Sequence, residues 1–341
     1  MRRRGWIGAA ALAAVVVVAV LVLRDPPQPR DPAPPALQVE QARRVPLTGL
    51  NWRPVSLPTA IEHPHRSAVD TERALFPITQ PDGTHLLVNN TGVVLARGNE
   101  GLTATLEGAR VVVYETNTGR VSTVDAATGG LTGEFTGPKT ALVAHAVGAV
   151  VVQENDQCLQ ILDASTLKVV TRHCAPPGWA ISLLTSELDG VQWREARPDQ
   201  HCARWFQLTP PFTPQALITG ERACRAAVLV RTADWELTAD FPPYEVGVLH
   251  PGPLVARREN REITLDATAL DVHACGGRIY WLSKPTGAEQ KGELVRWTPG
   301  NNTVQVLQVG MGSASPPRCV NGVLSVVTYG ERPQLWALDE P

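Results

Sequence analysis

From residue 47 to the C-terminus the chain alternates short apolar runs, rich in Val, Ile and Leu, with clusters of Gly, Asn, Asp and Thr. Runs of that length and composition read as strands, and the clusters between them read as tight turns. Residues 111–115 (VVVYE), 120–125 and 131–135 make a meander of three strands, and 150–154, 157–163 and 167–173 repeat it. The equivalent Asp125 and Asp163 stand 38 residues apart. Further on, 278–283 (RIYWLS), 293–298 (ELVRWT), 303–309, 323–328 and 334–338 (QLWAL) continue the series, with Thr298 in the Asp position and Asp339 following 41 residues later. The 135 residues between Asp163 and Thr298 equal three steps of 45, with one intermediate at Leu208 in RWFQLT and another read at 263–270, ITLDATAL. A period of ~40–45 residues with several strands per unit is the pattern of an all-β propeller.

The 295 residues of 47–341 accommodate seven units of about 42, with six or eight left open. The run 334–338 takes the place of a third strand, and the chain ends at Pro341 before a fourth. A ring built that way leaves a raw sheet edge. A strand within 47–60 (LTGLNWRPVSLPTA) is therefore expected to pair into the last unit and close it.

Two earlier regions depart from this pattern. Residues 5–23 (GWIGAAALAAVVVVAVLVL) hold no charge and no Pro. As a helix they reach about 28 Å, the thickness of a bilayer core. Arg2, Arg3 and Arg4 precede the run, while Arg24 and Arg30 alternate with Asp25 and Asp31 behind it. This asymmetry keeps the stub 1–4 in the cytoplasm and places the body on the extracytoplasmic side. The run closes as Val22-Leu23-Arg24-Asp25-Pro26 without the small-residue pattern of a cleavage site, so an uncleaved signal-anchor is preferred to a cleaved signal peptide. The first cysteine is Cys158, which removes a lipoprotein. Residues 24–46 carry seven Pro in 23 positions and read as a polyproline-rich stalk.

The runs 121–135 (VSTVDAATGGLTGEF) and 159–173 (LQILDASTLKVVTRH) resemble the blade repeat of the quinoprotein-like (PQQ-like) propellers, in which an apolar-Asp-x-x-Thr-Gly turn links the third and fourth strands. Asp and Thr side chains in such a turn bond its amides, and Gly takes positive φ. That family usually ends the repeat with a Trp, where this chain has Phe135 and His173. WD40- and YVTN-like propellers share the same hairpin logic. The resemblance implies a propeller; the catalytic members are larger.

Composition narrows the function classes. With 31 basic against 33 acidic residues the chain lacks the charge of a nucleic-acid binder. Its 27 Arg against 4 Lys read as a GC-rich bacterial genome. All six cysteines lie in the exported body, and an even number in an oxidising compartment reads as three disulfides. The preferred pairs are Cys158 with Cys174, Cys202 with Cys224, and Cys275 with Cys319. His173, His201 and His273 sit beside cysteines, but no Cys pair has the two-to-four spacing of a zinc site. His63 and His65 in Glu62-His63-Pro64-His65 would face one way in an extended chain, a weak pair of metal candidates that lacks a third ligand.

No nucleophile elbow, phosphate loop, HExxH or EF-hand motif occurs, no catalytic residue is assigned and no cofactor is implied. Trp193 with Arg194, and Arg204 with Trp205, are candidate rim pairs for a glycan or peptide; the remaining Trp residues read as packing between blades. Two functions compete: a membrane-tethered propeller that binds or scaffolds envelope proteins or glycans, and an exported propeller enzyme, a quinoprotein-like dehydrogenase or a hydrolase with an axial active site. Binding is preferred, and convergent ionisable groups in a deep axial pocket would reverse the order.

Overall fold

The computed structural model describes residue 37 and residues 43–340 apart from 60, 62, 100, 116–117, 140–141, 147, 188–189, 198–202, 210–211, 219–225, 233, 241–253, 260, 266–271, 287–290 and 311–312. The segment 5–23, expected to be a membrane anchor, and the expected Cys202 to Cys224 pairing lie outside the described residues. Among the described residues no helix is long and apolar enough to cross a membrane.

Apart from two short 3-10 turns, the described structure is built of strands. Two short strands come first, β1 (Arg43–Val45) and β2 (Arg53–Val55). Then β3 (Ala68–Val69), β4 (Ala74–Thr79), β5 (His85–Asn89) and β6 (Val94–Gly98) form an antiparallel sheet in sequence order. The next sheet has β7 (Leu102–Glu107), β8 (Arg110–Glu115), β9 (Arg120–Asp125) and β10 (Leu131–Thr136). The third has β11 (Val143–Ala146), β12 (Ala149–Asn155), β13 (Cys158–Asp163) and β14 (Val169–Cys174). The fourth has β15 (Ala180–Glu187), β16 (Gly190–Ala196), β17 (Ala203–Thr209) and β18 (Thr213–Ile218). The fifth has β19 (Ala226–Arg231), β20 (Glu236–Asp240), β21 (Leu254–Arg258) and β22 (Arg261–Leu265).

The sixth sheet is larger. It contains the meander β23 (His273–Cys275), β24 (Arg278–Thr286), β25 (Lys291–Trp297) and β26 (Val304–Leu307), joined through β27 (Ser313–Ala314) to β28 (Arg318–Val320), β29 (Val323–Tyr329) and β30 (Pro333–Asp339). Strand β2 then pairs antiparallel with β30, Arg53 opposite Ala337 and Val55 opposite Leu335. The segment 47–60 thus supplies the strand that the C-terminal hairpin lacks.

The sheets pack face to face, and the sequence shows why. A strand covered on both faces reads as a continuous apolar run. Val111, Val112 and Val113 of β8, and Val150, Val151 and Val152 of β12, are buried in this way. The outermost strands β10 and β14 alternate exposed and half-buried positions instead. One apolar layer joins the first sheet to the second through Leu75, Leu87, Leu106 and Val113. Further layers run between the second and third sheets, the third and fourth, and the fifth and sixth. Phe76 and Val88 of the first sheet also pack on Val327 and Leu335 next to the C-terminus, so the order of sheets returns to its start. Along the inner edge β3 meets β7 and β28, β11 meets β15, and β23 meets β19 and β28.

The predicted turns form as their chemistry requires. Asp125 Oδ1 accepts the amides of Ala127 (3.1 Å) and Thr128 (2.8 Å) and the Thr128 hydroxyl, and Asp163 Oδ1 does the same with Ser165 and Thr166. Those bonds, led by the Thr128 and Ser165 hydroxyls, hold both carboxyls below their usual range. Four residues past the Asp the chain turns left-handed, with Gly129 at φ 72 and Leu167 at φ 52. A Cβ on Gly129 would sit 2.8 Å from the Val94 carbonyl oxygen. Gly129→Ala is therefore expected to cost about 2 kcal/mol in urea unfolding, from backbone strain and that clash; wild-type stability in this variant would contradict the turn geometry.

Three sequence expectations need correction. Residues 37 and 43–45, assigned to the stalk, are strand-paired: β1 lies parallel on β26, and Leu37 bridges to Leu265. No Pro falls in 36–45, so their backbone donors are free to join an edge. ITLDATAL does not begin in a third strand, because 261–265 is the fourth strand of its sheet. Pro64–Arg66 is a 3-10 turn and not an extended segment, since the proline ring sets the first helical φ.

Candidate functional site

Two of the expected disulfides are present. Cys158 and Cys174 are opposite one another on β13 and β14. Cys275 on β23 is bonded to Cys319 on β28, tying the inner strands of neighbouring meanders.

The candidate rim pairs lie elsewhere than at a rim. Trp193 and Trp205 are buried, so neither ring offers a face to a ligand. Consecutive residues of a strand point to opposite sides of the sheet, which separates Arg194 from Trp193 and Arg204 from Trp205. Arg204 instead lies over the ring of Trp179 (4.2 Å to its centroid) and over Phe206 (5.5 Å). Arg197 approaches Trp179 at 5.2 Å. Trp193 stacks on Phe206 at 5.5 Å, and His173 leans against both.

At the centre of that cluster is a fully buried carboxylate. Glu195 accepts from His173 Nε2 (2.5 Å), from Trp193 Nε1 (3.2 Å) and from Arg204 Nη2. Burial pushes its carboxyl up, but the hydrogen bonds from His173, Trp193 and Arg204 outweigh burial and hold it low. With a folded pKa below the unfolded 4.5, the group stabilises the protein above pH 4.5, and this contribution is lost as pH falls through the lowered value. The cluster is a packed network that clamps β14 to β16 and β17, with Arg204 Nε the one buried polar atom of His173, Trp193, Glu195 and Arg204 that lacks a hydrogen-bond partner.

A cleft of about 360 Å³ opens between the second and third sheets, lined by Glu107, Ala109, Arg110, Gly148, Asp163, Ala164 and Ser165. Two carboxylates in one cleft suggest acid–base chemistry. Both are already engaged. Glu107 Oε2 pairs with His145 Nε2 at 2.5 Å, and its Oε1 accepts the Gly148 amide at 2.8 Å. Burial raises the Glu107 carboxyl; His145 and Gly148 more than reverse it. Asp163 is tied into its own turn, and Arg110 Nη1 donates to the Ser165 carbonyl at 3.2 Å. The arrangement binds two sheets together.

His63 and His65 have ring centroids 5.7 Å apart, tilted by 59°. His65 Nδ1 lies 3.4 Å from the Tyr329 hydroxyl, and Glu62 lies outside the described residues. Among the described residues no group of three or more His, Cys, Asp or Glu is placed to hold a metal ion.

One surface feature escaped the sequence reading. Among the described residues five large apolar side chains are exposed, and four open the outermost strands of three successive sheets. Val94 (45%) begins β6, Leu131 (59%) begins β10, and Val169 (52%) and Val170 (54%) begin β14. Gly129 sits against Val94 and Gly133 against Leu167, so the three strand starts are linked in space. The corresponding positions of the fourth and fifth sheets are polar, Thr213 and Arg261. The signal in the sequence was an apolar residue directly after the third turn of each of the first three units.

No protein family matches the chain by sequence, and no curated protein does. Solved structures match by fold. The Pan2 WD40 domain of Neurospora crassa superposes with a TM-score of 0.54 at 10% identity, covering 90% of this chain and 98% of that one. A chain of the mitotic checkpoint complex gives a TM-score of 0.50 at 10% identity, covering 93% and 97%. One of two prolyl endopeptidases gives 0.54 at 13% identity, covering 80% of this chain and 46% of that one. Together with the meandering four-stranded sheets, these matches make the protein a β-propeller.

Proposed function

We propose that the protein is a seven-bladed propeller, tethered by residues 5–23 to the cell membrane and held on its extracytoplasmic side, that binds or scaffolds protein partners of the envelope. Seven is supported by five separate four-stranded sheets and by two further meanders, β23–β26 and β28–β30 completed by β2. Kinship with the quinoprotein-like repeat rests on the Asp-centred turns at Asp125 and Asp163.

The observation that carries binding is the row Val94, Leu131, Val169 and Val170. Exposed aliphatic side chains at equivalent positions of three successive sheets offer an interaction surface. Covering each side chain stabilises a complex by roughly 1 kcal/mol, given that about half of each is already buried. The chain itself shows that an outer edge accepts an added strand, because β1 lies on β26. WD40 and checkpoint-complex propellers of the same fold support a partner-binding reading over a glycan one. The enzyme alternative needs uncommitted carboxylates, whereas Glu107 and Asp163 are both held by internal bonds.

A photo-crosslinking amino acid at Leu131 in intact cells is expected to give discrete protein adducts, while the same probe at exposed Gln215 on β18 gives none. Equal labelling at both positions would remove the patch as the contact surface. Deleting 5–23 is expected to shift the body from the membrane fraction to the soluble fraction.

A further inference from the structure

Three turns of two neighbouring sheets line the cleft of about 360 Å³, a volume at the small end of ligand sites, which run from roughly 300 to 1,000 Å³. The turn between β7 and β8 brings Glu107, Ala109 and Arg110, the turn between β11 and β12 brings Gly148, and the turn after β13 brings Asp163, Ala164 and Ser165. Ala109 and Ser165 are exposed, Arg110 and Asp163 are half-buried, and Ala164 is buried, so the cleft runs from an open mouth to a closed floor. Glu107 spends its oxygens on His145 and on the Gly148 amide, and so shapes the wall.

Two opposite charges are held apart in this cleft. All four bonds to Asp163 from its own turn, two amides and two hydroxyls, fall on Oδ1; they fix the carboxylate and keep it ionised. Among the described residues its Oδ2 has no partner. Arg110 Nη1 donates to the Ser165 carbonyl at 3.2 Å, while its Nε and Nη2 have no acceptor among the described residues. The guanidinium thus reaches the backbone two residues beyond Asp163, yet the two side chains form no ion pair. Each charge is anchored at one edge and open at the other.

An ion of one sign fits poorly. A simple anion on Arg110 meets the carboxylates of Glu107 and Asp163, and a simple cation on Asp163 meets Arg110. A ligand that carries both signs satisfies both open edges, and the internal bonds leave these side chains little rotamer freedom to lose on binding. A carboxylate lies in the fork of a guanidinium edge, and an ammonium donates to a carboxylate oxygen. We infer that this cleft binds a small zwitterion, an amino acid or a dipeptide, with its ammonium on Asp163 Oδ2 and its carboxylate on Arg110 Nε and Nη2. The aliphatic row takes no part in this site.

The test is isothermal titration of the full chain in detergent with L-alanine and, separately, with L-alanyl-L-alanine. Saturable binding of one ligand per chain is expected, and the tighter of the two tells a free amino acid from a peptide. N-acetyl-L-alanine lacks the ammonium and L-alaninamide lacks the carboxylate; each is expected to bind about tenfold or more weakly, the loss of a charge-assisted hydrogen bond. Asp163→Asn keeps an acceptor for the turn, removes the charge and is expected to weaken binding by a similar factor. Asp125→Asn, the equivalent change in the turn of the second sheet, leaves it unchanged. Should Asp163→Asn fail to unfold cooperatively, Arg110→Gln replaces it with the same expectation. No saturation with either zwitterion, equal affinity for a singly charged analogue, or unchanged affinity in Asp163→Asn or in its Arg110→Gln replacement overturns the inference.

Discussion

Replacing Cys275 and Cys319 together by alanine is expected to lower the unfolding free energy by about 4 kcal/mol. The bond closes a loop of 44 residues. Loop entropy alone then amounts to about 13 cal/mol/K at that length, or about 4 kcal/mol at 25 °C. Nothing else links β23 to β28 covalently, so the cross-link also limits how far two adjacent meanders separate on unfolding. The Cys158–Cys174 bond closes 16 residues between strands already paired, and its removal is expected to cost about 3 kcal/mol. Urea unfolding of both double variants checks the order, with the slope fitted separately because a lost cross-link exposes more surface. A loss under about 1 kcal/mol for Cys275/Cys319, or the reverse ranking, contradicts this account.

The second large effect lies at Glu340, whose side chain is buried behind the end of β30. Its carboxylate accepts from the Tyr280 hydroxyl and pairs with Arg278, while Arg296 Nη1 stands 3.5 Å away. Burial pushes the Tyr280 phenol up to about 12, so it remains a donor at any working pH. Glu340→Ala leaves the buried Tyr280 hydroxyl and the Arg278 guanidinium without their acceptor and Arg296, which still donates to Gln305, without its counter-charge, at a cost of about 3 kcal/mol. Arg278 is partly exposed, which keeps the figure at the lower end of what fully buried pairs show. A double-mutant cycle of Glu340→Gln with Tyr280→Phe separates the hydroxyl contact from the charge. A cost near zero for Glu340→Ala would mean that the cluster does not hold β24 to the C-terminal segment.

Acid weakens the body from two directions. His273 has a folded pKa of about 4 against an unfolded 6.5, so the unfolded chain takes up the proton first. Its contribution is complete above pH 6.5 and is lost as pH falls from 6.5 towards 4, by about 2 kcal/mol after allowing for its accessible surface. Glu195 adds a further loss below pH 4.5. Unfolding in urea at pH 7.5 and pH 5 measures the first of these, and His273→Gln is expected to flatten the slope between the two.

The second and third sheets were legible because each carries its strands and its turn in one stretch of sequence. Asp125 with Thr128, and Asp163 with Thr166, state the turn chemistry in four letters. The closing strand was also legible, since an edge left open by 334–338 demands a partner and 53–55 supplies it. Other features depend on residues brought together from distant positions. Glu107 and His145 lie on the inner strands of neighbouring sheets, 38 residues apart, and no local pattern announces them. The rim tryptophans were misplaced because neighbours in sequence fall on opposite faces of a strand; Arg204 finds Trp179 instead. The aliphatic row was present at 94, 131 and 169 in equivalent positions, but exposure separates a contact surface from a core strand, and exposure is not written in an apolar letter.

The binding reading depends on that row, and a variant that introduces charge there tests it most directly. Leu131→Glu combined with Val170→Glu replaces two exposed side chains, so the urea midpoint is expected to stay within about 0.5 kcal/mol of wild type. In-cell crosslinking from a probe at Val169 is expected to lose its adducts in the same protein. Unchanged adducts in a stably folded double variant would contradict the claim that this face of the propeller holds its partner.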